Sequence, residues 1–375
     1  MPPTPRTHTD VKSTAKQPSA QRLPAETVFA SELQRLREWD THHCPPGWLL
    51  SPIAVEKFIL GDSTLGLERK IVAQREVITR VIIGLATNRG AMLVGPPGTA
   101  KSWLSELLAA AISGQSTLTV QGGSVETARQ ILYRWDEQLL ASKGVCREAL
   151  VPGLIFQAME SGRLVRFEEL ARCSNHLQDT LLSALSERSL SIPELSGDES
   201  ILYAKAGFNL IATSNSLDAG INNLSAALKR RLNFETLLPI SNIDDEVDVV
   251  MRESRKLLLQ SGVDVAPDAE VISALVTIFH ELRTGSSLSG RSTDRLASTV
   301  MSTAEAVAVA HAMGVHAFYY RDSAMQAEDL VHFLIGAALK DNQSDRRRLQ
   351  HYFETEISGK SGSVWEAVYR GAEQL

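Results

Sequence analysis

The sequence has too few cysteines and too little uninterrupted apolar chain for several large classes of protein. Cys44, Cys146 and Cys173 are the only cysteines in 375 residues, and they fit neither a disulfide framework nor the spacing of a zinc site. This usage favours a reducing, cytoplasmic location. No stretch reaches the roughly 18 uninterrupted apolar residues of a membrane-spanning helix, so we expect no membrane span.

The chain also lacks the positive charge that marks many nucleic-acid-binding proteins. Its formal net charge is -6, which gives no electrostatic reason to expect nucleic acid or an acidic membrane as the main partner. Residues 1–25 are rich in proline, threonine and serine and lack the apolar region of a signal peptide, so they predict a disordered tail. Because 43% of the residues are apolar, the rest of the chain can bury a sizeable core.

Hydrophobic periodicity divides the remaining chain into segments of different fold class. We expect a helical extension at 26–66, an α/β domain at 67–240, a small all-helical lid domain at 241–345 and a C-terminal tail or helix at 346–375. Short apolar runs alternate with helical patterns in the α/β domain, which predicts a parallel five-stranded sheet with helices on both faces. The predicted strands are 91–94, 118–121, 164–167, 208–212 and 234–238. The predicted helices are 26–40, 68–87, 266–283, 293–313, 327–340 and 364–373, with a packed connector at 51–60.

A glycine-rich loop directly follows the first predicted strand and directly precedes a helical pattern. Its residues are Gly95, Pro96, Pro97, Gly98, Thr99, Ala100, Lys101 and Ser102, and Trp103 opens the helix. Strand, loop and helix in this order predict a P-loop, whose N–H groups and helix N-terminus suit the phosphates of ATP. We expect Lys101 to reach the β and γ phosphates and Ser102 to bind Mg²⁺. The alternative is a Gly/Pro turn that precedes a Lys-Ser pair by chance.

Carboxylates at the end of a neighbouring strand are the second requirement of a P-loop enzyme. Glu168 and Glu169 follow the predicted strand 164–167. By position Glu168 would hold Mg²⁺, directly or through water, and Glu169 would polarise the attacking water. Asn215 follows the next buried strand, at the edge where open α/β folds bind ligands, and would orient that water. A solvated glutamate pair and a turn asparagine are the alternatives.

Two residues depart from the usual pattern of a P-loop enzyme. Ala100 stands where a glycine usually precedes the lysine, and its methyl group is tolerable if the backbone has a negative φ. Glu168 stands where aspartate is usual and carries an extra methylene into the metal shell. Both departures motivate one alternative function, a scaffold that binds ATP with little turnover.

The ordered motifs resemble those of AAA+ ATPases, and within them the MoxR family of the helix-2-insert clade, over about residues 68–340. The similarity includes the P-loop with alanine before lysine, the segment 152–156 before the glutamate pair and the helix 177–188 after it. The resemblance implies insertions within 122–151 and at about 189–204, which line a pore or upper face in related assemblies. It also implies homohexameric rings with ATP bound between subunits.

The resemblance also assigns roles to arginines. Arg231 falls where the family places its arginine finger, donated to the neighbouring subunit's γ phosphate, with Arg230 as the fallback. Leu232 replaces the phenylalanine that usually follows. Arg291 matches the sensor 2 arginine, which opens a lid-domain helix and contacts the nucleotide of its own subunit. A basic helix end and an ordinary helix-start arginine are the alternatives.

The function that the resemblance implies is ATP-driven, chaperone-like remodelling or maturation of a partner protein. In this family the partner typically carries a von Willebrand factor A domain. A AAA+ nucleic-acid motor subunit is the alternative from another class, and the acidic charge balance of the chain argues against it.

Overall fold

The computed structural model of the chain describes residues 22–215, 224–293, 295–296, 300–339 and 342–374. Most of the predicted tail at 1–25 therefore lies outside the described residues, and a helix begins at Ala25. The strands are β1 Gly90–Gly95, β2 Thr119–Gln121, β3 Tyr133–Trp135, β4 Leu150–Pro152, β5 Leu164–Glu168, β6 Ser189–Ser191, β7 Ile201–Tyr203, β8 Asn209–Asn215 and β9 Leu232–Thr236.

Five strands form one parallel sheet in the order β2-β5-β8-β1-β9, which confirms the predicted parallel five-stranded sheet. Gly95 at the end of β1 pairs with Asn215 at the end of β8. In the same way Gln121 of β2 pairs with Glu168 of β5. The carboxyl ends of these strands therefore meet at one edge of the sheet, which is where open α/β folds bind ligands.

Helices cover the sheet and continue beyond it as a separate helical layer. Those in the first part of the chain are α1 Ala25–Val28, α2 Ala30–Trp39, α3 Pro52–Leu60, α4 Arg75–Leu85, α5 Lys101–Ser113, α6 Ala128–Ile131, α7 Glu137–Lys143, α8 Leu154–Ser161, α9 Asn175–Ser186 and α10 Ala226–Lys229. After the sheet come α11 Ile243–Gln260, α12 Ala269–Thr284, α13 Thr303–His316, α14 Asp329–Ala338, α15 Gln343–Tyr352 and α16 Ser363–Gly371. We call α11 to α16 the helical domain.

The structure corrects one predicted connector and two predicted helix starts. The connector predicted at 51–60 is the helix α3, in which Ser51 accepts the N–H of Ala54 and Pro52 occupies the first turn. Helix α4 begins at Arg75 rather than residue 68. Helix α13 begins at Thr303 rather than residue 293, because Ser302 and Glu305 form a capping box that sets its start.

The N-terminal helices belong to the core on one face of the sheet. Apolar side chains of α2 and α3, including Leu33, Leu36 and Phe58, are buried in the same cluster as Ile78 of α4 and Leu107 of α5. A second cluster lies on the other face of the sheet, and a third fills the helical domain. The N-terminal extension, by which we mean the described residues 22–66, is therefore packed against the helix that follows the P-loop.

The expected insertions each contain an antiparallel strand pair, β3 with β4 and β6 with β7. Glu194, between β6 and β7, accepts hydrogen bonds from the Tyr133 hydroxyl at 2.9 Å and the Trp135 indole N–H at 3.4 Å. The two insertions are thus linked to each other. Across the described ranges, no helix has the length and apolar character needed to span a membrane.

Candidate active site

A pocket of about 630 Å³ lies between the carboxyl edge of the sheet and the helical domain. The P-loop forms one wall through residues 97–102, and Trp103 extends that wall along α5. Glu169, Thr213 and Asn215 line the same pocket. The fold thus brings together residues that the sequence places more than a hundred positions apart.

Lys101 lies inside the curve of the loop. Its ammonium group donates hydrogen bonds to the carbonyl oxygens of Gly95 at 3.0 Å and Pro96 at 2.6 Å. Pro96 and Gly95 are not among the residues that line the pocket, so their contribution here is to bind this lysine. A cation held at this point suits the charge of a polyphosphate.

The structure does not meet the condition of a negative φ at Ala100. Ala100 has a φ of 61° and lies in the left-handed region, as the N-cap of α5. Its carbonyl oxygen accepts the N–H of Leu104 at 2.8 Å, which begins the ladder of the helix. The turn from loop to helix requires this conformation, so alanine carries here a backbone geometry that favours glycine.

Glu168 is buried directly behind the P-loop. Its carboxylate accepts hydrogen bonds from the hydroxyls of Ser102 at 2.6 Å, Ser105 at 2.7 Å and Thr213 at 2.7 Å. Burial alone would raise the pKa of Glu168, but these hydroxyls and the charge of Arg166 outweigh it and hold the pKa below its ordinary value. A charged carboxylate beside a serine hydroxyl is an oxygen donor set that suits Mg²⁺.

Glu169 lines the pocket, whereas Glu168 does not. Its backbone is left-handed, with φ 55°, and this turn sends successive side chains in different directions. The Glu169 N–H donates to Thr213 Oγ1 at 3.1 Å, and its carboxylate lies 3.1 Å from Arg172 Nε. The side chain is 37% exposed, so a water molecule can reach it. The geometry separates a buried carboxylate from an accessible one.

The helical domain closes the other side of the pocket at the start of α13. Gly98 approaches Ser302 so closely that an added Cβ would lie 2.2 Å from the Ser302 Cβ. Thr303 donates to Glu246 at 2.6 Å, and Arg283 makes two bonds to the same carboxylate at 3.0 and 2.7 Å. This buried network fixes the end of α13 that faces the P-loop.

Three cations that line the pocket were not predicted as site residues, namely Lys70, Arg252 and Arg283. Lys70 is ion-paired with Glu32 at 2.6 Å and lies over the ring of Phe58. Burial lowers the pKa of Lys70, although Glu32 acts in the opposite direction. No motif marks these residues, because each reaches the pocket from a segment remote from the P-loop.

The predicted arginines do not line this pocket of their own chain. Arg231 is bound to the hydroxyl of Ser186 and to the carbonyl of Ala227, while Arg230 is exposed. Arg291 was expected to open a helix of the lid domain, and this expectation is wrong. It pairs instead with Glu356 at 3.0 Å. Its side chain is 64% exposed. The described arrangement thus gives Arg291 no contact with the nucleotide pocket.

Comparisons with known proteins agree with this geometry. Residues 90–232 match the family described as AAA domain (dynein-related subfamily), and residues 244–374 match the YehL-like AAA+ ATPase C-terminal domain. The chain is similar to YehL of Escherichia coli (strain K12), with 47% identity over 95% of this chain and 98% of that protein. It is also similar to the gas vesicle ATPase GvpN of Haloferax mediterranei, with 26% identity over 65% of this chain and 76% of that protein.

Among solved structures, the chain is similar to NtrX from Brucella abortus in complex with ADP. The two are 14% identical, and the match covers 80% of this chain with a TM-score of 0.46. This chain spans 64% of the length of that NtrX chain.

Proposed function

This chain belongs to the YehL-like AAA+ ATPases, and we propose that it hydrolyses Mg²⁺-bound ATP in the pocket between the P-loop and the helical domain. The observation that carries this proposal is the meeting of Lys101, the Ser102–Glu168 pair, Glu169 and Asn215 at one edge of the sheet. These residues supply a cation, an oxygen donor set, an accessible carboxylate and an amide, which are the groups that phosphoryl transfer to water requires.

Each residue has a role in the proposed reaction. The P-loop residues 97–102 and Trp103 would bind the nucleotide directly, and Gly95 and Pro96 would contribute through Lys101, which would exchange its bonds to their carbonyls for phosphate oxygens. Ser102 and Glu168 would hold Mg²⁺, which when bound neutralises phosphate charge. Glu169 would accept a proton from the attacking water, and Asn215 would orient that water.

The proposed roles of two arginines require either a neighbouring subunit or a movement of the helical domain. Arg231 would be the arginine finger of a neighbour in a homohexameric ring, with Arg230 as the fallback. Neither residue lines the pocket of its own chain, which supports donation to another subunit. For Arg291, a contact with its own nucleotide would require release from Glu356 and a shift of the helical domain.

The proposed biological role is remodelling or maturation of a partner protein, as the resemblance to MoxR proteins implies. A partner with a von Willebrand factor A domain is the first candidate. The linked insertions β3–β4 and β6–β7 support this role, because they form a joint surface outside the nucleotide pocket. Cys44, Cys146 and Cys173 form no disulfide, which supports the cytoplasmic location that we propose.

ATP turnover by the purified full-length protein tests the catalytic assignment. Glu169→Gln should lower the turnover number about 10²- to 10⁴-fold while ATP binding is retained, because only proton acceptance is lost. Lys101→Ala should lose ATP binding as well. The control is Glu160→Gln, a change in α8 outside the pocket. An unchanged rate for Glu169→Gln would show that the catalytic assignment is wrong.

Mixing of variants tests the finger and the ring together. Arg231→Ala and Lys101→Ala should each be inactive, but mixed oligomers should regain activity at interfaces that combine an intact P-loop with an intact finger. The same mixing with Arg230→Ala decides which arginine is the finger. If no mixture regains activity, the proposal of a finger donated between subunits fails.

A further inference from the structure

Arg166 is a buried arginine in the middle of β5, between Val165 and Phe167. A guanidinium group taken out of water needs partners for its five N–H donors. Arg166 finds acceptors on three sides, and they are Ser105 Oγ at 2.9 Å, the Ser116 carbonyl at 3.0 Å, the Ser102 carbonyl at 3.0 Å and Glu168 Oε1 at 2.9 Å. Two of these acceptors belong to the proposed metal-binding residues.

A single nitrogen of Arg166 makes both of those contacts. Nη2 donates to the Ser102 carbonyl and to Glu168 Oε1, while the Ser102 hydroxyl donates to the other carboxylate oxygen, Oε2. The three residues therefore form a closed ring of hydrogen bonds. This ring sets the distance and the orientation between the Ser102 hydroxyl and the Glu168 carboxylate.

Glu168 needs such a support more than aspartate would. Its extra methylene adds one rotatable bond between the backbone and the carboxylate, so the carboxylate can occupy more positions. Arg166 holds one oxygen and leaves the other facing Ser102. Residues behind a metal ligand that fix its orientation commonly change metal affinity about 10- to 100-fold when they are replaced.

A second carboxylate balances the charge of Arg166. Glu106 of α5 is buried, and its Oε2 lies 3.7 Å from Arg166 Nη1. The N-terminal extension binds the same carboxylate, because Ala25 N–H donates to it at 3.2 Å and Arg22 at 2.7 Å. Charges thus alternate from the N-terminal extension through Glu106 and Arg166 to Glu168.

We propose that Arg166 is the positioning residue of the metal site and that Glu106, held by the N-terminal extension, is its counter-ion. Arg166 orients Glu168 toward Ser102, and Glu106 shares the arginine charge so that Glu168 keeps its own negative charge for the cation. This inference rests on the proposed binding of Mg²⁺ at Ser102 and Glu168. It gives the N-terminal extension a part in a site built on the sheet.

The test is a titration of the full-length protein with Mn²⁺, followed by electron paramagnetic resonance. The protein is saturated with a non-hydrolysable ATP analogue. Arg166→Gln should weaken Mn²⁺ binding about 10- to 100-fold, while the affinity for the analogue in EDTA stays unchanged. If the wild-type protein does not bind Mn²⁺, the proposed function fails. If the wild type binds it and Arg166→Gln binds it equally or more tightly, only the positioning role is overturned.

A double-mutant cycle shows whether Arg166 acts through Glu168. In the Glu168→Gln background, Arg166→Gln should cause no further loss of Mn²⁺ affinity. An undiminished loss in that background would contradict the proposal. Glu106→Gln should also weaken Mn²⁺ binding, because Arg166 then acts on Glu168 alone, and unchanged binding would refute the role of Glu106.

Two further variants keep the result interpretable. Arg134→Gln removes an exposed arginine from β3 and should leave Mn²⁺ binding unchanged. If thermal unfolding shows that Arg166→Gln does not fold, Arg166→Lys replaces it, since lysine keeps the charge. A lysine has a single nitrogen and cannot also hold the Ser105 hydroxyl and the Ser116 carbonyl, which Nε and Nη1 of Arg166 bind. The lysine side chain is therefore less firmly oriented toward Glu168, and Mn²⁺ binding should again be weaker than in the wild type. Wild-type affinity in Arg166→Lys would overturn the positioning role.

Discussion

Replacing Ala100 by glycine should stabilise the protein, because Ala100 has a left-handed backbone conformation. Its φ of 61° and ψ of 23° lie where a Cβ costs about 1–2 kcal/mol. The residue is exposed, so removal of its methyl group loses little buried area. Glycine in turn costs about 0.5–1 kcal/mol through the greater freedom of the unfolded chain. The free energy of unfolding should therefore rise, by at most about 1.5 kcal/mol.

Urea unfolding of the nucleotide-free protein measures this change. Ala308→Gly is the matched control, since Ala308 is an exposed alanine inside α13. Glycine at a helix interior is about 1 kcal/mol less favourable than alanine, so this control should lower the unfolding midpoint. The two substitutions are chemically identical and should act in opposite directions. A lower midpoint for Ala100→Gly would refute the argument that the positive φ is strained.

Two further changes test other parts of the structure. Glu246→Gln should lower the free energy of unfolding by about 3 kcal/mol, because it leaves Arg283 as a buried charge without its carboxylate. Asp244→Asn, exposed in the same helical turn, is the control in urea unfolding, and an equal loss there would contradict the network argument. Burial and the hydrogen bond to Glu194 raise the pKa of Tyr133 to about 12, above its ordinary value of 10.0. This contribution to stability is complete below pH 10 and falls as the pH rises from 10 to about 12, so Tyr133→Phe should remove that fall. The same fall in both proteins would contradict the assignment.

Local sequence patterns were sufficient to predict the sheet and the centre of the site. The P-loop at 95–102 is a continuous segment whose glycines, lysine and serine act through their own backbone and immediate neighbours. The five buried strands are short apolar runs because both faces of the sheet are covered. Glu168, Glu169 and Asn215 could be placed near the loop because parallel strands end at a common edge.

Other features were decided only by the tertiary structure. Whether Ala100 tolerates its position depends on the left-handed turn that joins the loop to α5, and composition does not reveal that angle. Lys70 lies before α4 and is paired with Glu32 of the N-terminal extension, whereas Arg283 of α12 is paired with Glu246. Both reach the pocket from segments remote from the P-loop.

The tertiary structure alone also brings together the N-terminal extension, Glu106, Arg166 and Glu168. Sequence periodicity reports which side of an element is apolar, and motifs report short contiguous segments. Neither contains the distance between charged groups on different elements, and that distance, together with burial, determines which of these groups act on each other.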